Sequence, residues 1–195
     1  MGDNYRDMDV LETDALLVID VQNDFCTGGA LAVPDGERII PLINVLMPHF
    51  DHVFATQDFH PAGHSSFEAQ GGPWPEHCVQ GTEGAALHPD LNITSIDRIF
   101  QKGTDPKTDG YSGFSGTELA SELNRLGVQR VFVTGLATDY CVKATTIEAI
   151  DHGFEAVVVT DAIRAVNAKP RDGEDALAEM EEAGATLIGS DEINS

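Results

Sequence analysis

Asp20, Lys102 and Cys141 supply a carboxylate, an ammonium and a thiol. Brought together, these are a base, a fixed positive charge and a nucleophile, the set that covalent catalysis requires. Cys141 follows Gly135-Leu136-Ala137-Thr138-Asp139-Tyr140, where an apolar run gives way to helical spacing. That places the thiol in the first turn of a helix, where the macrodipole and a nearby cation lower its pKa from about 8.5 toward ~3.5–7.5. Taken alone, a cysteine is more often a small buried apolar side chain, and Cys26 and Cys78, which lack such company, are read as structural. Three cysteines with no short-spaced pair do not make a disulfide framework.

A second constellation lies between Gln57 and Cys78. Asp58 and His60 share one side of an extended strand end, His64 follows, and His77 sits in Trp74-Pro75-Glu76-His77. A carboxylate with two imidazoles suits one divalent ion, with zinc first and iron or manganese as alternatives, and keeps positions open for water or substrate. An Asp-x-His pair alone is weak evidence, and histidines bonded to loop backbone would then be the favoured reading. The third imidazole and the neighbouring catalytic set favour the metal.

These groups need a frame. Ala15 to Asp20 is a continuous apolar run closing on a carboxylate, the pattern of a strand buried on both faces. Further strands are expected at 52–56, 98–100, 130–134, 155–160 and 185–188, with helices at 37–50, 116–126, 139–152 and 172–182. Repeated strand–helix–strand units predict an α/β fold: a parallel sheet covered by helices on both faces. Ligands of such sheets bind beyond the carboxyl ends of the strands, where strand order reverses. Asp20, Asp58, His60, Lys102 and the Gly135–Cys141 turn all fall at such ends. The stretch from Gln57 to Asp97, rich in Pro, Gly and His, is too long for an idle connection and is expected to be functional. At 195 residues the chain is read as one domain, with residues 1–13 an N-terminal extension.

Net charge is −22, with only four lysines. Such a field repels phosphate backbones and anionic membranes, which argues against nucleic-acid and membrane partners. The acids are dispersed along the whole chain, as in proteins of salt-loving organisms, whose concentrated cytoplasmic salt shortens the Debye length to about 3 Å near 1 M. No apolar run approaches the ~20 residues of a membrane span, and the acidic start does not resemble a secretory signal, so a cytoplasmic location is expected.

The segments 19–26 (IDVQNDFC), 56–60 (TQDFH), 74–82 (WPEHCVQGT), 102–103 (KG), 111–114 (YSGF) and 135–142 (GLATDYCV) resemble, in order, the nicotinamidases (pyrazinamidases) of the isochorismatase-like cysteine hydrolases. The resemblance runs from Leu16 to about Val159. It implies a single three-layer α/β/α domain, Rossmann-like, with six parallel strands and the first and fourth adjacent. It implies hydrolysis of nicotinamide and pyrazinamide-like amides to the acid plus ammonia through a thioester. Asp20, Lys102 and Cys141 would be catalytic. The N–H groups of Ala137 and Cys141 would form the oxyanion hole, turned to one point by a cis peptide at Leu136–Ala137. Asp58, His60 and His77 would hold the metal, and Phe25 and Trp74 would sandwich the ring. His64 is left as a candidate fourth ligand, and homo-oligomerisation is left open.

Relatives of other activity are disfavoured by particular residues. Isochorismatases cleave a vinyl ether without a cysteine nucleophile, against which Cys141 argues. Ureidoacrylate and carbamoylsarcosine amidohydrolases keep the cysteine and lack the metal set, against which Asp58, His60 and His77 argue. A catalytically silent binding protein would have no need of the complete Asp20, Lys102 and Cys141 set.

Overall fold

A computed structural model describes residues 8–194. The apolar runs become a six-stranded parallel sheet of β2 (Asp14–Ile19), β3 (Val53–Asp58), β4 (Arg98–Lys102), β5 (Arg130–Leu136), β6 (Glu155–Arg164) and β7 (Thr186–Ile188). Strand order is β4-β3-β2-β5-β6-β7. The chain therefore works outward from β2 to β4, then returns to lay β5 against the other side of β2, and the order reverses at β2/β5. Every residue of β2 is buried, which is why that run carries no polar alternation.

Two apolar layers cover the faces. Leu16, Val18, Phe132, Val157 and Val159 pack with Ile39, Ile40, Ile43 and Met47. Ala15, Leu17, Ile19, Val131, Val133 and Val158 pack with Leu119 and Leu123 of α2 (Leu119–Leu126), Ala149 of α3 (Lys143–Asp151) and Met180 of α4 (Asp172–Ala183). The alternation of residues along each strand sorts them between these layers.

Boundaries differ where local chemistry intervenes. The helix expected over 37–50 is helical as far as His49 but α only as α1 (Ile40–Leu46), between 3₁₀ turns at Gly36–Ile39 and Met47–His49. Pro48 has no N–H to continue the α pattern. The expected helix 139–152 begins instead as a π-turn, Thr138–Val142, because the N–H of Val142 reaches back five residues to the carbonyl of Ala137 at 3.1 Å. A small parallel pair, β1 (Met8–Asp9) with β8 (Ile193–Asn194), has too few residues to leave a periodic signal. The expected 1–13 extension falls partly outside the described residues.

Candidate active site

Two register pairings assemble the site. Ile19 pairs with Gly135 across β2/β5, so Asp20 and the Ala137–Cys141 turn leave the sheet side by side. Asp58 pairs with Lys102 across β3/β4, so their side chains emerge on the same face. Gly135 has φ of 109°, and a Cβ there would lie 2.1 Å from the carbonyl oxygen of Ile19. Only glycine allows the two strands to approach so closely before the chain turns. The peptide bond Leu136–Ala137 is cis, as the resemblance implies.

Lys102 Nζ is the hub. It lies 2.8 Å from Asp20 Oδ2, 2.5 Å from Asp58 Oδ1, 3.0 Å from the carbonyl of Gly110 and 3.4 Å from Cys141 Sγ. The side chains of Lys102 and Asp20 have no solvent exposure. Burial works against the ammonium, but Asp20 and Asp58 outweigh it and hold Lys102 protonated well above its usual range. Burial would also raise Asp58, yet Lys102 and His60 keep that carboxyl well below the ordinary range.

Asp20 goes the other way. Burial raises its pKa, with Lys102 opposing, so it has the greater proton affinity of the two carboxylates. Its Oδ1 accepts the Thr56 hydroxyl at 2.7 Å, whereas Oδ2 meets Lys102 off the hydrogen-bonding angle and has no aligned donor among the described residues. Oδ2 is thus the oxygen open to take a proton. Asp20 itself stands at φ 47°, a left-handed conformation uncommon outside glycine.

The expected depression of the Cys141 pKa is corrected here. The thiol is buried, and burial pushes its pKa up well above the ordinary value, with Lys102 pulling down and Asp20 and Asp58 adding to the rise. The helix dipole and Lys102 favour the thiolate, but the thiol's burial is the larger effect, and Asp20 and Asp58 add to it. The resting group is a neutral thiol beside a carboxylate, which makes deprotonation a proton transfer within the site. Cys26 and Cys78 are likewise buried, with pKa values pushed up by burial.

Asp58, His60 and His77 each offer a ligand atom within 4.8 Å of the others. Both histidines direct Nδ1 at a main-chain carbonyl, His60 to Gly103 at 2.9 Å and His77 to Pro75 at 2.8 Å. Carbonyls accept only, so each Nδ1 carries a hydrogen and each Nε2 is the nitrogen available to a metal. His60 Nε2 faces Asp58 Oδ2 at 3.5 Å, and burial holds His77 below its usual pKa, as a neutral ligand requires. Two fixed imidazoles and a low-pKa carboxylate fit one divalent ion. His64 does not join them: its Nδ1 engages Ser66 Oγ at 2.7 Å and its Nε2 the carbonyl of Asp105 at 3.1 Å, while its ring lies tilted against that of His60 with centroids 4.1 Å apart.

A cavity opens between these two sets, lined by Phe25, Trp74, His77, Tyr111, Tyr140, Cys141, Ala137 and Val166 among others. Phe25 and Trp74 both line it. Tyr111 was not singled out in advance, yet its hydroxyl receives the Trp74 indole N–H at 3.0 Å and joins the two loops above the cavity. Thr56 and Gln22 also went unnoticed. Gln22 donates to the carbonyl of Asp58 and accepts its N–H, each at 2.8 Å, fixing the end of β3. Their signal in the sequence is only a polar residue within an apolar strand or just past its end.

Comparison with known proteins places this geometry. The Isochorismatase domain family model matches residues 14–192. The nicotinamidase of Escherichia coli (strain K12) is 43% identical, over 89% of this chain and 93% of that protein. The nicotinamidase/pyrazinamidase of Mycobacterium tuberculosis is 40% identical over 90% and 98%. Among solved structures, a Pyrococcus horikoshii pyrazinamidase in complex with zinc is 45% identical, with a TM-score of 0.84 over 91% of this chain and 99% of that one. PnC1 from L. infantum in complex with nicotinate has a TM-score of 0.90 at 39% identity, over 94% and 96%.

Proposed function

The chain belongs to the isochorismatase family, and from that premise we propose that it is a nicotinamidase-type amidohydrolase, converting nicotinamide and pyrazinamide-like amides to the acid and ammonia. The observation that carries this reading is the single buried row Asp20–Lys102–Cys141 opening into an aromatic cavity that also holds Asp58, His60 and His77.

Asp20 takes the proton of Cys141, and the thiolate sulfur attacks the carboxamide carbon. Lys102 keeps carboxylate and sulfur in register and balances the negative charge that passes between them. The N–H groups of Ala137 and Cys141 receive the developing oxyanion; a donor of that kind is typically worth about 10²–10³ in rate. Asp20 returns the proton to the nitrogen as the C–N bond breaks, and ammonia leaves a thioester on Cys141. Asp20 then takes a proton from water, whose oxygen attacks the thioester carbon. The C–S bond breaks, the acid departs and Cys141 is re-protonated. Asp58, His60 and His77 would hold a divalent ion, zinc by preference, which would supply a Lewis-acid anchor for the ring, and Phe25 and Trp74 would sandwich the ring between them. A place in pyridine-nucleotide salvage and a cytoplasmic setting agree with this reading, and the dispersed acidity suits a salt-rich cytoplasm.

Ammonia release from a panel of small amides tests the reading. Turnover of nicotinamide and pyrazinamide, with little on aliphatic amides, is the expected result; a panel without pyridine or pyrazine turnover overturns it.

A further inference from the structure

We propose that Asp139 is a positioning residue: its carboxylate holds the strap Ala165–Asn167, and through it the Val166 wall of the cavity, against the nucleophile turn. The proposal deepens the amide-hydrolase reading and rests on it. Asp139 lies two residues before Cys141, but its side chain takes part in no step derived above. It is 6% exposed. Each of its oxygens accepts one main-chain N–H, Oδ1 from Val166 at 2.9 Å and Oδ2 from Asn167 at 2.8 Å. One buried carboxylate thus clamps two successive residues of a segment some 27 positions away in the chain.

The strap needs such a clamp. It follows the last residue of β6, so the sheet ladder no longer fixes it. Val166 lines the substrate cavity beside Ala137, Tyr140 and Cys141. Behind it, Ala165 and Asn167 line a second, open cavity of about 400 Å³ with Arg164, Arg171 and Gly173, which leaves the strap room to retreat. On that side it is tied where Asn167 Oδ1 accepts the N–H of Gly173 at the start of α4, at 2.9 Å. Asn167 is held at φ 52°, a conformation that a free strap would readily abandon. Charge-assisted bonds to main-chain N–H are roughly twice as strong as neutral ones, so Asp139 is the dominant tie.

The Asp139→Asn variant isolates this role. Its amide oxygen accepts one of the two N–H groups, while its NH₂ faces the other and repels it. Active sites are counted by stoichiometric alkylation of Cys141, and kinetics are expressed per site. For Asp139→Asn we expect the KM for nicotinamide to rise about tenfold, the scale of one such bond, with kcat changed less than about threefold. Val166→Ala should raise KM as well. Because both act on one wall, the double variant should fall well short of the product of the two single effects. A KM per site unchanged in Asp139→Asn, with only the melting temperature lowered, overturns the proposal, as do fully multiplicative effects. Equilibrium binding of nicotinamide to the same variants in a Cys141→Ala background gives a second readout. It decides the positioning role even if the wild-type protein releases no ammonia, an outcome that would defeat the hydrolase reading alone.

Discussion

Asp58 and Lys102 are register partners on neighbouring parallel strands, and their side chains meet at 2.5 Å. The same ammonium serves Asp20 at 2.8 Å, so the carboxylate that would hold the metal and the one that would move the proton share a single counter-charge. Replacing Lys102 by Met leaves two buried carboxylates without a cation, which typically costs about 3–5 kcal/mol. For a chain of this size the melting temperature should fall by roughly 6–20 °C. A Lys102→Met protein as stable as wild type would show that the row is not ionised as described.

Cys141→Ala should lower kcat by about 10⁴-fold or more, the scale seen when a member of a catalytic set is removed. Binding of nicotinamide should survive, since the cavity walls and metal ligands are untouched. Cys26→Ala and Cys78→Ala should keep most activity per folded molecule. Steady-state kinetics beside circular dichroism separates loss of chemistry from loss of fold.

Metal removal by a chelator should abolish turnover and leave the far-ultraviolet spectrum unchanged, because the ligands lie beyond the sheet's core. His77→Ala should do the same. His64→Ala should be milder, since both of its ring nitrogens are engaged by protein. Gly103→Ala offers an indirect test: a Cβ there would stand 2.4 Å from His60 Cε1, so the variant should bind metal more weakly with every ligand present. Metal content by plasma spectrometry reads the chelated protein and the three variants.

The Cys26 thiol is pushed up to about 11 by burial and by the Glu37 carboxylate. A pKa raised by folding means the folded state holds its proton longer than the unfolded one. The resulting stability is complete below the unfolded value of about 8.5 and is lost as pH rises through about 11. Urea unfolding between pH 8 and 11 should therefore show a steeper alkaline decline in wild type than in Cys26→Ala. Parallel curves would contradict it.

Stability should rise with KCl to molar concentration, as screening relieves repulsion among the dispersed carboxylates behind the charge of −22. Activity should follow through the folded fraction. A melting temperature that stays flat or falls from low to molar salt would remove the salt-adapted reading and leave the proposed chemistry standing.

Much of the site was legible because parallel strands buried on both faces are unbroken apolar runs, so the residue ending each run is conspicuous. Asp20 is of that kind; Asp58 follows the polar pair Thr56-Gln57, and Lys102 closes an edge strand whose Arg98, Ile99 and Gln101 are exposed, so those two stand out as charges at the ends of shorter runs. The Cys141 turn was equally visible, but the environment of its sulfur was not: burial and two carboxylates are tertiary facts, and they reversed the direction of its pKa. Asp139 and Thr56 were hidden for the opposite reason. Each looks like an ordinary polar residue in its own segment, and its meaning comes from partners 27 and 36 positions away. His64 shows the limit of spacing arguments, because a histidine near other histidines can be consumed by a serine and a carbonyl.

Complete burial of the Asp20–Lys102 pair divides the molecule into two electrostatic regimes. Mobile ions bathe the surface acids, whereas the side chains of Asp20 and Lys102 are covered by protein. Ionic strength is therefore a control on whether the molecule is folded and has little grip on the proton that Asp20 and Cys141 would exchange. The chemical step is insulated from the medium, so the outer shell is free to adapt to its habitat while the interior keeps one setting.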